Sequence, residues 1–287
     1  MAIAVVTGTS TGIGLATALT LARAGHTVYA SMRNPKTGSE ELRAIAEREY
    51  LPLHIAALDV DSDESVRNAF AKILAEAGRI DVLVNNAGIS VLSAVEETPI
   101  AAFRAVMETN YYGALRCIQA VLPGMRERRS GCIVNVTSVA GRLSMAPQAA
   151  YSSSKFALEA ASESLAQEVK AFGVRVAIVE PGVIATPIFG KVQPPPADSN
   201  YPHGRRIYEL YRTSLENPVS PYVVGEKIRE IVESGTWKLR HPVGPDAEGF
   251  LAWRASMSDE QWVEWGAISD EQWVEYVRKN FHLNVSL

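Results

Sequence analysis

Short runs of consecutive apolar residues alternate with longer amphipathic stretches from the start of the chain. Ile3–Val6 is apolar and partly β-branched, and it runs into Thr7-Gly8-Thr9-Ser10-Thr11-Gly12-Ile13-Gly14. Leu15–Ala24 has helical composition and stops at Gly25. Thr27–Ala30 predicts a second strand, Ser39–Glu49 a charged amphipathic helix, and Leu53–Leu58 a third strand ending in Asp59. Asp61-Ser62-Asp63-Glu64 opens another helix, to about Glu76, with acids in its first turn. Ile80–Val84 and Cys132–Val136 predict the fourth and fifth strands, with a long helix filling much of Ile100–Arg128 between them. Ala149–Phe172 predicts a helix stopped by Gly173, and Val174–Val179 a sixth strand. Strands that are apolar throughout are buried on both faces. Their alternation with helices predicts an α/β fold, a doubly wound parallel sheet with helices on both faces, over residues 1 to about 185.

The pattern changes after Pro187. Lys191–Gly204 holds Pro194-Pro195-Pro196 and few apolar residues, and its place after the sixth strand suggests a substrate lid at about 187–220. Helix and strand are expected to resume at Val223–Glu233 and Trp237–Arg240. The tail repeats itself: Ser258-Asp-Glu-Gln-Trp-Val-Glu264 recurs as Ser269-Asp-Glu-Gln-Trp-Val-Glu275. Serine followed three residues later by glutamine is a capping-box pattern, so each copy should start a short helix. Trp262 and Trp265 then share one helix face, as do Trp273 and Tyr276. These aromatics either pack on their own subunit or cover the substrate mouth or a neighbour. The organisation expected is a single cofactor-binding and catalytic domain, 1–245, with a helical C-terminal extension, 246–287.

Composition narrows the class. The 287 residues are 47% apolar, enough for a sizeable core, which excludes a disordered chain. A net charge of −4 gives no footprint for nucleic acid. Two cysteines, Cys117 and Cys132, exclude a disulfide scaffold, and the five histidines show no ligand spacing, so no metal is expected. No apolar run is long enough to span a bilayer, and MAIAVVTG lacks a signal-peptide start, so a cytoplasmic setting is expected.

Gly8, Gly12 and Gly14 sit where the first strand meets the first helix. Such a turn aims backbone N–H groups and a helix dipole at one point, and glycine lets a pyrophosphate approach. Thr9, Ser10 and Thr11 add hydroxyl donors. Dinucleotide sites usually carry an acid at the end of the second strand, on the ribose 2′-hydroxyl. Here that stretch is Ala30-Ser31-Met32-Arg33-Asn34, without a carboxylate. Ser31 and Arg33 would welcome a 2′-phosphate, which favours NADP over NAD. Asp59 either caps the following helix or contacts an adenine amino group. Tyr151 and Lys155, four apart in a helix, share a face. An ammonium there should lower the phenol's pKa and fit it to exchange a proton with a carbonyl or alcohol oxygen. Ser138, after the fifth strand, lies at the same end of the sheet and could bond that oxygen.

Together these residues resemble the short-chain dehydrogenase/reductase family, of single-domain Rossmann type. The matching motifs are Thr7-Gly8-x-x-x-Gly12-Ile13-Gly14, Asn85-Asn86-Ala87-Gly88, Asn110, Ser138, Tyr151-x-x-x-Lys155 and Pro181-Gly182, over residues 3 to about 187. Val28–Arg33 and Ser154–Glu159 are similar to members acting on steroids, retinoids and other lipophilic alcohols or ketones. The resemblance implies hydride transfer between nicotinamide and a ketone or secondary alcohol, with Tyr151 as general acid/base. It implies that Lys155 lowers the Tyr151 pKa and holds the nicotinamide ribose, that Ser138 orients the substrate oxygen, and that Asn110 holds a proton-relaying water. Asn86, Ala87 and Gly88 would line the cofactor, Asp59 and Val60 the adenine, and Pro181, Gly182, Val183 and Thr186 the nicotinamide. A homodimer or homotetramer is implied. Competing readings are an NAD-dependent alcohol dehydrogenase, a catalytically silent NADP-binding regulator, and an acyl-thioester ketone reductase using Arg126, Arg128 and Arg129. The tail departs from the simplest members, and Tyr201–Tyr211, with Arg205 and Arg206, is a candidate for shaping substrate choice.

Overall fold

A computed structural model describes residues 1–191 and 199–287. Seven strands form one parallel sheet in the order β3-β2-β1-β4-β5-β6-β7. They are β1 (Ile3–Thr7), β2 (Thr27–Met32), β3 (Leu53–Ala57), β4 (Val82–Asn85), β5 (Gly131–Val136), β6 (Val174–Pro181) and β7 (Arg240–Val243). The central strands are buried along nearly their whole length, as their unbroken apolar runs require. One face is covered by α1 (Gly12–Arg23) and α9 (Tyr222–Ser234), whose Leu19, Val224 and Ile228 join Val6, Val84 and Val134 in one core. Phe70 of α4 (Asp63–Ala77), Ile118 of α6 (Gly113–Arg128) and Leu165 of α7 (Ala149–Lys170) cover the other face, over Val5, Leu83 and Ile133. Strand order reverses between β1 and β4, which leaves a crevice beyond their carboxyl ends.

Several elements differ from the pattern-based expectation. The helix expected over Ser39–Glu49 is α3 (Glu40–Arg48), capped by those two residues, but a one-turn α2 (Pro35–Gly38) that the pattern did not show precedes it. Ile100–Arg128 is one continuous helical rod, but α5 (Ile100–Met107) joins α6 through a π-helical turn, Glu108–Tyr112. The seventh strand starts where it was expected to end, at Arg240. Pro242 obscured it; a sheet edge tolerates proline because one side of the strand needs no donor. Pro194–Pro196 of the expected lid lie outside the described residues, whereas its later part is α8 (His203–Ser214). Three helices follow β7: α10 (Ala247–Ala255), α11 (Asp259–Gly266) and α12 (Asp270–Phe281). Both capping boxes are formed, on Ser258 with Gln261 and on Ser269 with Gln272. The tail aromatics pack on their own subunit: Trp253 meets Trp262 and Trp265 at 4.9 Å between ring centres. Cys117 and Cys132 are buried core residues.

Candidate active site

The crevice begins at the glycine turn. Gly8 and Gly12 adopt φ of +69° and +60°, where other residues are strained. Gly14 serves a different purpose: a Cβ there would stand 2.2 Å from the Gly8 carbonyl oxygen, so its absence lets the turn fold onto α1. Thr7 and Asn86 stitch the turns after β1 and β4 together. The Thr7 hydroxyl accepts from the Asn86 and Ala87 amides, both at 3.0 Å, and the Asn86 carboxamide donates to the Thr7 and Gly8 carbonyls. The outcome is a cavity of about 390 Å³ along the carboxyl ends of the strands. Gly8, Ser10, Thr11, Gly12, Ile13, Asn86, Ala87 and Gly88 line it at the switch point. Arg33, Asp59 and Val60 line one end; Ser138, Tyr151, Lys155, Pro181, Gly182, Val183 and Thr186 line the other. Asp59 does not cap α4: Ser62 does, accepting from Ser65 N, while the Asp59 carboxylate accepts from Asp61 N.

Four expected site residues stand outside the wall, among them Thr9 and Ser31, which are buried and whose hydroxyls donate to the Ser31 and Val6 carbonyls and so do not reach a phosphate. Gly14 lies behind the turn. Asn110, in the π-helical turn, bonds Ile89 both ways, its Oδ1 accepting from Ile89 N at 2.8 Å and its Nδ2 donating to Ile89 O at 2.9 Å. Its Nδ2 also donates to Ser154 Oγ, which itself donates to the Tyr151 carbonyl. The carboxamide thus braces the loop after β4 against the helix carrying Tyr151.

Tyr151 and Lys155 face the cavity together from the first turns of α7. The Lys155 ammonium lies 5.6 Å from the Tyr151 ring centre and donates to the Val136 carbonyl at 2.9 Å. Ser138 ends the loop after β5; its hydroxyl accepts from Ala140 N and adjoins that of Tyr151. The expected acidification of the phenol by Lys155 is corrected here. Burial dominates and pushes Tyr151 up to about 12, and it is the hydrogen bond with Ser138 that works the other way. Burial likewise draws Lys155 down to about 8, against the pull of Glu159.

Other side chains behave differently from their sequence reading. Arg205 and Arg206 both pair with Asp270, so they tie α8 to the tail and do not reach the cavity. Arg128 and Arg129 donate to the Ile80 and Ala171 carbonyls. Gln148 and Asp246 went unnoticed in the sequence, and Tyr211 was named there only as the end of the Tyr201–Tyr211 segment. Gln148 and Tyr211 line the cavity beside Tyr151. Asp246 accepts from Val183 N at 2.8 Å, beneath the segment after β6. A Cβ on Gly182 would come within 2.1 Å of its Oδ1. Only the tertiary fold joins these positions; no local spacing announces them.

The family model described as short chain dehydrogenase matches residues 2–197, more than half the chain. This chain belongs to that family. Retinol dehydrogenase 8 of Homo sapiens is 40% identical over 237 residues, covering 80% of this chain and 75% of its own length. The crystal structure of a short-chain dehydrogenase from Streptomyces avermitilis superposes with a TM-score of 0.78 at 36% identity, covering 93% of this chain and 96% of that one. An actinorhodin polyketide ketoreductase solved with NADPH gives a TM-score of 0.76 at 28% identity, over 86% of this chain and 97% of its own. As a short-chain dehydrogenase the protein is an oxidoreductase of CH–OH and carbonyl groups that uses NAD(P). The cradle fits such a dinucleotide, since Gly8 and Gly12, both at positive φ, line the cavity at the start of α1 without a side chain. Gly8–Ile13 would hold the pyrophosphate, Asp59 and Val60 the adenine, and Lys155 with Tyr151 the nicotinamide ribose. Among the described residues no helix is long and apolar enough to cross a membrane.

Proposed function

We propose that this short-chain dehydrogenase moves hydride between NADP(H) and a lipophilic ketone or secondary alcohol, with Asn110, Ser138, Tyr151 and Lys155 as its working set. The observation that carries this reading is the adjoining pair of hydroxyls, Ser138 and Tyr151, beside a buried Lys155 in the same cavity that the glycine turn lines. Bound nicotinamide supplies or accepts the hydride. Tyr151 gives its proton to the carbonyl oxygen in reduction and takes it back in oxidation. Ser138 orients that oxygen and hydrogen-bonds the phenolate left behind, while Lys155 holds the nicotinamide ribose. Asn110 positions the Ile89 loop and the Tyr151 helix and stands beside the path by which a water would return the proton. Leu92, Leu143, Met145, Phe189 and Phe250 surround the reacting end with apolar surface, which suits a lipophilic substrate. The similarity to retinol dehydrogenase 8 supports that choice.

We further propose a cytoplasmic homo-oligomer, supported by two unpaired buried cysteines and by exposed Tyr112 and Phe156 on the outer helices. Residues 187–191 and 199–220, which bring Phe189 and Tyr211 to the cavity wall, serve in this reading as the described part of the substrate lid. The test is Tyr151→Phe. Turnover, read as NADPH oxidation with a panel of lipophilic ketones, should fall by about 100-fold or more, while NADPH binding by fluorescence titration should weaken only severalfold, since Lys155 still holds the ribose. Full turnover in that variant overturns the assignment.

A further inference from the structure

Beyond Ser138 and Tyr151, the substrate end of the cavity is walled mostly by apolar side chains, and two large polar groups interrupt that wall. Gln148 sits just before α7, three residues from Tyr151, and is 2% exposed. Its Nε2 donates to the Tyr211 hydroxyl at 2.7 Å. Tyr211 projects from α8, packs its ring edge-on against Phe189 at 4.9 Å, and is close enough to Tyr151 for the two phenols to repel as anions. A phenol both accepts and donates. Gln148 satisfies its acceptor side, which leaves the Tyr211 hydrogen to bond elsewhere. The hydroxyl is half-buried at the cavity wall, and Leu143, Met145, Phe189 and Phe250 around it are apolar, so a substrate oxygen seated there would be its acceptor.

Building on the function proposed here, we infer that Tyr211, held by Gln148, is a polar subsite that binds a second hydrogen-bond-accepting oxygen of the substrate, close to the reacting carbonyl. The substrate class is then a lipophilic ketone bearing a nearby carbonyl, ester or ether oxygen, not a hydrocarbon ketone. Gln148 presets the hydroxyl, so the donor is aimed before the substrate arrives. Tyr211 selects among substrates and takes no part in proton transfer.

Two ketones of equal chain length test this: ethyl 3-oxooctanoate, with an ester beside the ketone, and undecan-6-one, without one. The ester also activates the ketone, so the deciding quantity is how the ratio of their kcat/KM values changes on Tyr211→Phe, which keeps the ring against Phe189. The ketoester should lose about tenfold in kcat/KM, mostly through KM, while the plain ketone changes little. Equal loss on both substrates, or no change on either, overturns the inference while leaving the proposed hydride transfer intact. If neither ketone oxidises NADPH, it is the broader functional reading that suffers. Calorimetric titration of ethyl 3-oxooctanoate into NADPH-loaded enzyme then reads the subsite directly. About tenfold weaker binding in Tyr211→Phe supports the inference; equal binding, or none to either protein, overturns it.

Discussion

Arg33 stands exposed at the rim of the cavity, just past the end of β2, where an acid would mark a site for an unphosphorylated ribose. A guanidinium there pairs with a 2′-phosphate through a charge-assisted fork. Arg33→Ala should therefore weaken NADPH by about tenfold to 100-fold and leave NADH nearly unchanged, measured by side-by-side titration. Equal losses would remove the phosphate role. The missing acid was legible in the chain; the sign of the Tyr151 shift was not. Spacing places an ammonium beside a phenol but says nothing of how deeply both are buried, and depth decides the pKa here. Glu159 is the counterweight. It lies one turn beyond Lys155, is 4% exposed, and accepts from Thr137 at 2.7 Å and from Arg240 at 3.0 Å. Its charge raises the Lys155 pKa that burial draws down to about 8. Glu159→Gln keeps the shape and removes the charge, so Lys155 should lose its proton at lower pH. The alkaline limb of the kcat/KM profile for ketone reduction, set by loss of the Lys155 proton, should move to lower pH. An unmoved limb would mean that Lys155 does not set it.

At the scale of elements, the strands β1, β2, β4, β5 and β6 were readable because they are largely buried on both faces and so mostly apolar, while the edge strand β3, with His54 and Ala57 exposed, was readable from its Leu53, Ile55 and Ala56. The glycine turn and the Tyr151–Lys155 face of α7 were readable for a similar reason, since each is a local arrangement. The π-helical turn at Glu108–Tyr112 was not, because its cause is tertiary: Asn110 reaches Ile89 and Ser154 on other segments. Gln148 and Tyr211, 63 residues apart in the chain, met only in the fold. The tail repeat was half legible. Both copies cap their helices as their sequences predict, but the copies differ in what they bury. Helix α12 hides Trp273 and Val277, whereas α11 buries no residue fully. A cap matters to global stability only as far as its helix is part of the cooperative core. Ser269→Ala should cost about 1 kcal/mol in urea unfolding, and Ser258→Ala distinctly less. Equal costs would mean that α11 is as much a part of the core as α12.

Across the whole molecule, the described side chains gather into three cores with separate duties. Two flank the sheet and hold the cofactor cradle; the third lies beyond the carboxyl ends of β5 and β6. That third core joins Leu143 and Val183 of the cavity wall to Phe250, Trp273, Val277 and Val285 of the tail. Phe250 spans both roles, lining the cavity and meeting Phe281 at 5.2 Å between ring centres. The tail is thus the backing of the substrate wall, while the glycine turn, Arg33 and Asp59 sit among β1, β2, α1 and β3, whose buried side chains belong to the first two cores. Trp273 is 2% exposed, and Trp273→Ala should cost about 3–5 kcal/mol through the cavity it leaves. Packing loss there should loosen Phe250 and Leu143 but not the pyrophosphate cradle. KM for a lipophilic ketone should rise severalfold while the NADPH dissociation constant stays near the wild-type value, measured at a temperature where the variant is still folded. If both constants rise together, the third core supports the whole crevice and the division between cofactor and substrate halves is wrong.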